Sequence, residues 1–266
     1  MFSQFRSNIS QSVGVSLIAL LSILAVGMLQ VPQLNYLTNR AKNASPEALR
    51  QDVDLEKLRL NLLQQTPAFG FDNLFADWVF LNFLQYFGDE ETRAVTGYSL
   101  SPEYFEIIVD RDPRFLGAYT GLSTSISLYA AKPEESVALM EKGLKSMSPQ
   151  SPPKSYYIWR QKGIDELLFL GNTQAARQSF KNAAEWASTY SDEESQNVAA
   201  ISRRTSEFLA RNPKSKSAQV TAWAMVLNTV TDDRTRKIAI SRIEALGGKV
   251  IITPEGVPKI RLPKTD

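Results

Sequence analysis

The side chains that most often carry catalysis are missing: the 266-residue chain contains neither histidine nor cysteine. Their absence removes imidazole general bases, thiol nucleophiles, disulfides and the usual zinc ligand sets together. Carboxylate, lysine, tyrosine or serine chemistry is what remains. The acidic runs Asp89-Glu90-Glu91 and Asp192-Glu193-Glu194 are the obvious candidates. Each stands beside the start or end of a helical pattern, where carboxylates satisfy free backbone N–H groups and suit the helix dipole. No GxxxxGK(S/T) phosphate loop, GxGxxG turn, GxSxG elbow or calcium-loop spacing is present. The expectation is a non-enzymatic chain with no catalytic residue, metal ligand or cofactor. The alternative is a hydrolase or transferase using carboxylates or lysine, which requires converging ionisable groups with shifted pKa values in a pocket.

Charge suggests binding instead. Residues 43 to 199 hold 14 Lys or Arg against 22 Asp or Glu, whereas residues 200 to 266 hold 13 against 6. In the basic end, Arg203, Arg204, Arg234, Arg236 and Lys237 are candidate contacts for anionic lipid or an acidic partner surface. A solvated helix face is the plainer reading of the same residues. Nucleic acid is not expected, because no reader motif accompanies the charge.

The elements that must position these groups follow from periodicity. From Val13 to Val31 the sequence VGVSLIALLSILAVGMLQV is uncharged and long enough to cross a bilayer at 1.5 Å per residue. A cleaved signal peptide is the alternative, with Ala25-Val26-Gly27 as its cleavage site, although the apolar run exceeds a usual signal core. Residues 1–12 form a flank, 13–31 the anchor and 32–44 a polar connector. Arg6 before the span and Arg40, Lys42 and Arg50 after it lean slightly toward a cytoplasmic soluble domain, in a plasma, inner or thylakoid membrane.

Beyond the anchor the apolar spacing is helical over residues 45–246. Ser45-Pro46-Glu47 and Ser101-Pro102-Glu103 are helix starts with serine as cap and proline in the first turn. The block from Phe69 to Phe87 is dense enough in aromatics for a helix buried on two sides, or for one that turns a face to a membrane or partner. A loop is expected from Gly88 to Leu100, and polyproline character in Ser148 to Lys154. Residues 247–266 change to strand alternation around Pro254-Glu255-Gly256 and predict a short β-hairpin or an extended tail.

Within GIDELLFLGNTQAARQSFKNAA, Gly171, Ala176, Phe180 and Ala183 place a glycine at an inter-helix turn and small, large and small residues on the next helix face. This register resembles the tetratricopeptide repeat, and Ser136, Met140 and Gly143 repeat it in part. The resemblance implies an all-α solenoid of antiparallel helix pairs whose groove binds other polypeptides. In such a groove Tyr119, Ser123, Tyr157, Arg160 and Asn197 are the candidate partner-binding residues. The function expected is a membrane-tethered interaction scaffold that assembles or stabilises a membrane protein complex, of photosynthetic or envelope type. A stoichiometric structural subunit of such a complex is the alternative.

Overall fold

Capping and turn residues decide where the helices begin and end. The structure, a computed structural model, describes residues 20–22, 24–31, 44–229, 233–252 and 258–263. Its helices are α1 (Pro46–Gln65), α2 (Asp72–Gly88), α3 (Glu90–Thr96), α4 (Ser101–Arg111), α5 (Leu116–Ser123), α6 (Pro133–Leu144), α7 (Tyr156–Leu168), α8 (Thr173–Ala187), α9 (Glu193–Arg211), α10 (Lys216–Thr229) and α11 (Asp233–Ala245). A π-helical turn, Thr124–Tyr129, continues α5, and two short strands follow α11, β1 (Lys249–Ile252) and β2 (Pro258–Arg261). The fold is mostly helical with this small antiparallel sheet.

The chain divides into two units, one comprising Met1–Asp54 with Glu90–Thr96, the other Leu55–Asp89 with Gly97–Asp266. In the first, residues 24–31 are helical, and Leu24, Val26, Met28, Leu29 and Val31 are exposed. Residues 13–19 and 23 of the expected span, the 1–12 flank and residues 32–43 of the connector lie outside the described residues. Among the described residues no helix is long and apolar enough to cross a membrane. Ser45 accepts from the Ala48 N–H at 3.2 Å, as expected of a cap. The loop expected after Gly88 is partly helical instead: Glu90 and Glu91 occupy the first turn of α3, where their charge favours the helix dipole.

The second unit is built on successive helix packing. α2 places Phe83 against Phe105 of α4, ring centroids 4.5 Å apart, with Tyr104 edge-on at 5.8 Å. α7, α8 and α9 pack in sequence around Ala176 and Phe180, with Ile164, Leu167, Leu209 and Ala222 completing that cluster. Gly163 permits this closeness, since a Cβ there would meet the Phe180 ring at 3.1 Å. Ala176, Phe180 and Ala183 are all fully buried, and Gly171 turns the chain between α7 and α8 at φ +62°. Asn172 and Asp192 cap α8 and α9 by accepting from Ala175 and Ser195.

β1 and β2 pair antiparallel, Val250 opposite Ile260, and both residues pack on a cluster formed by Val220, Trp223 and Ile243. Two strands alone would be marginal in water, and helical cover supplies the missing apolar contact. Two expectations are corrected. Ser148–Ser151 is a tight reversal in which the two residues exchange backbone hydrogen bonds of 2.9 and 3.2 Å, not an extended polyproline segment. α2 is buried on one face only, through Ala76, Val79, Phe83 and Tyr86, while Leu74, Trp78, Leu81 and Leu84 stay exposed.

Candidate partner-binding groove

α5, α7 and α10 wall a solvent-open groove of about 670 Å³, to which Tyr119, Thr120, Tyr157, Arg160, Gln161 and Asn228 contribute. Tyr119 comes from the second turn of α5. Its hydroxyl donates to the Pro113 carbonyl at 2.7 Å, and burial pushes its phenol pKa upward. The ring lies against Gly143 of α6, where any side chain would collide with it. Tyr157, in the first turn of α7, donates to Glu194 at 2.6 Å; burial, then this bond to a carboxylate, raises its pKa.

Arg160 stands one turn further along α7. Its guanidinium lies 5.8 Å from the Tyr157 ring centroid and donates to the Met225 sulfur at 3.4 Å. Its Nε is buried with no hydrogen-bond partner, and among the described residues no carboxylate forms an ion pair with it. Desolvation lowers its pKa, the direction expected of a cation taken from water without a counterion. The nearby Lys154 is already engaged by Asp192 and Glu194.

Of the five residues expected to form a binding groove, Tyr119, Tyr157 and Arg160 line one cavity. Ser123 sits behind its wall, accepting from Gln161 at 2.7 Å and donating to Asp165 at 2.6 Å. Asn197 is exposed on α9 and does not line the groove.

The basic residues are dispersed. Arg203 lines a second open groove of about 690 Å³ between α8 and α9, alongside Arg177, Lys181, Arg211, Glu185 and Glu207. Arg204 is exposed on the same helix, and Arg236 and Lys237 are exposed on α11. Arg234 is engaged by aromatic rings, 4.8 Å from the Tyr129 centroid and 5.5 Å from that of Tyr98, and it donates to the Tyr98 hydroxyl at 3.2 Å. A mixed-sign groove and an arginine held by two tyrosines are poorer attractors for anionic lipid than a continuous cationic face.

Sequence reasoning missed the most unusual polar group. Asp165 of α7 is fully buried and accepts from Ser123, Ser127 and Ser136 at 2.5 to 2.7 Å. Burial raises its pKa, and the three hydroxyl donors oppose that shift. The π-helical turn bears Ser127, and its bond from the Ala130 N–H to the Ser125 carbonyl spans five residues. Beside Asp165, Lys162 donates to Glu166 at 2.6 Å and Glu166 accepts from Ser179, again inside the core. A side chain with no exposed surface meets no substrate, so this network fastens α5, α6, α7 and α8 together. The one readable hint was a string of ionisable residues at spacings of three and four on a helix with an apolar face. Among the described residues no group of three or more acidic side chains could hold a metal ion.

Comparison of the chain with known protein families, with curated proteins and with solved structures finds no match.

Proposed function

We propose that the chain is a membrane-tethered helical scaffold of the tetratricopeptide type, whose groove between α5, α7 and α10 binds an acidic segment of a partner polypeptide. The observation that carries this reading is Arg160, a desolvated guanidinium in a peptide-sized open cavity with no carboxylate paired to it among the described residues. Leaving a cation partly dehydrated and unpaired costs free energy that an incoming carboxylate would recover through charge-assisted hydrogen bonds. Tyr157, 38% exposed, supplies a flat apolar wall beside it, the kind of surface that anchors interface hot spots. Membrane attachment rests on the uncharged stretch from Val13 to Val31. Together these features favour a factor that assembles or stabilises a membrane protein complex.

Photocrosslinking tests the groove. A benzoyl-phenylalanine placed at Thr120, on the exposed wall, should capture a discrete partner in host membranes. Adduct yield should fall at least about tenfold in an Arg160→Met background, since losing one desolvated charge pair costs about 2 kcal/mol or more. Equal adducts with and without Arg160, or capture only from a probe at Gln178, would refute it.

A further inference from the structure

The α1–α2 hairpin exposes far more apolar surface than the groove uses. On residues 55–65 of α1, Leu55, Leu58 and Leu62 form a stripe at helical spacing, each 60–68% exposed. α2 carries a parallel stripe, Leu74, Trp78 and Leu81, with Leu84 beside it. Arg59 links the two helices, donating to Asn82 at 2.9 Å and lying 5.3 Å from the Trp78 ring centroid. At the tip, Phe69 is 85% exposed and Phe71 67%. Phe69 has φ +51° and Gly70 φ +88°. A phenylalanine in the left-handed region is strained, and strain of this kind persists only where the surroundings hold it. Here it points an aromatic ring outward. These nine side chains are each 43–85% exposed, a clustering of bare apolar surface unlike the singly scattered apolar residues of an ordinary surface.

Charge distribution selects what covers it. From Leu60 to Phe71 there is no charged residue. The two charges flanking that run are neutralised locally: Arg59 by Glu56 at 3.0 Å and Asp72 by Arg111 at 3.1 Å. Arg111 also donates to the Gln64 and Thr66 carbonyls, which closes the backbone of the tip. From Leu60 to Phe71 the tip sets exposed Phe69 and Phe71 beside uncharged Gln64, Gln65 and Thr66, so apolar and neutral polar groups meet there with no charge. A bilayer interface suits that arrangement, with Phe and Leu below the headgroups and Trp at their level. Asp77 and Gln85 are exposed beside the α2 stripe, polar groups suited to headgroup depth rather than the hydrocarbon interior.

We propose that the α1–α2 hairpin lies on the surface of a lipid bilayer, inserting Phe69, Phe71 and the two leucine-rich stripes between headgroups. This inference rests on the reading of residues 13–31 as a membrane anchor. The 12 residues 32–43 then reach at most about 40 Å, which holds α1 within range of the same membrane. The hairpin binds neutral lipid, because its tip offers no cation to an anionic headgroup.

The absence of cysteine makes the test direct. Full-length chains bearing a single environment-sensitive fluorophore at Phe69→Cys, Leu74→Cys, Ala19→Cys or Lys181→Cys are reconstituted into phosphatidylcholine vesicles with and without lipid-borne nitroxide quenchers. The labels at 69 and 74 should be blue-shifted and quenched from the shallow nitroxide position, the label at 19 quenched from the deep position, and the label at 181 unaffected. Quenching at 19 without quenching at 69 and 74 overturns the hairpin inference and leaves the anchor standing. No quenching at 19 removes the anchor as well. A blue shift at 69 and 74 without lipid quenching assigns the face to a protein, and quenching that requires anionic lipid assigns membrane contact to the basic helices; either outcome overturns it. A Phe69→Asp, Phe71→Asp double substitution should release the label at 74 while the label at 19 stays buried.

Discussion

Replacing Gly143 with alanine adds one methyl group where the fold has left no room for it. A Cβ built there would stand 1.8 Å from the Tyr119 hydroxyl oxygen, 2.7 Å from its Cζ and 3.1 Å from its Cε1. The tyrosine cannot retreat freely, because its hydroxyl is bonded to the Pro113 carbonyl at 2.7 Å and its ring is buried. Either that hydrogen bond breaks, at about 1 kcal/mol, or α6 moves away from α5, at the 1–3 kcal/mol cost of overpacking a core. Alanine returns about 1 kcal/mol through its better helix propensity. The net expectation is destabilisation of up to about 2 kcal/mol, a fall in Tm of up to roughly 8 °C for a chain of this size. Thermal unfolding followed by far-ultraviolet circular dichroism measures it directly. A double-mutant cycle then isolates the cause. In a Tyr119→Phe background the 1.8 Å contact is gone, so Gly143→Ala should cost about 1 kcal/mol less there. A Gly143→Ala effect unchanged by Tyr119→Phe would refute the packing argument and with it the rigidity of one groove wall.

Two further outcomes concern the buried polar groups. Burial raises the Asp165 pKa above its unfolded value, so the folded chain holds that proton more tightly; the associated stability is complete below about pH 4 and is lost as pH climbs through the folded-state pKa. Asp165→Asn cannot ionise, and it keeps one acceptor oxygen for the serine hydroxyls while its NH2 group must donate to the others; as pH rises above about 4 its Tm should therefore fall less steeply than that of the wild type, and parallel curves would count against the assignment. Lys162→Met strands the Glu166 carboxylate, whose side chain is only 3% exposed, and should cost about 3–5 kcal/mol in urea unfolding. Adding Glu166→Gln keeps an acceptor for Ser179 without the charge and should recover at least about half of that loss; a double variant no more stable than the single one would contradict the pairing.

Local signals in the sequence determined the helical class, most element boundaries and the C-terminal strand pair. Asn172 and Asp192 cap because a side-chain oxygen reaches a backbone N–H three residues on, and Gly171 turns because glycine tolerates positive φ; both effects act within a few residues and need no knowledge of the fold. The spacing of Ala176, Phe180 and Ala183 likewise identified a buried helix face before any neighbour was known. Tyr119, Tyr157 and Arg160 could be placed near one groove from their order along the chain. What the sequence could not supply was adjacency between distant residues. That Arg160 has no carboxylate paired to it among the described residues, that three serines converge on Asp165, that Tyr119 seals Gly143 and that one face of α2 stays bare all depend on which helix packs against which. Periodicity says that a face seeks cover and a charge seeks a partner, but whether either is satisfied is a property of side chains brought together from tens of residues apart, and only tertiary packing decides it.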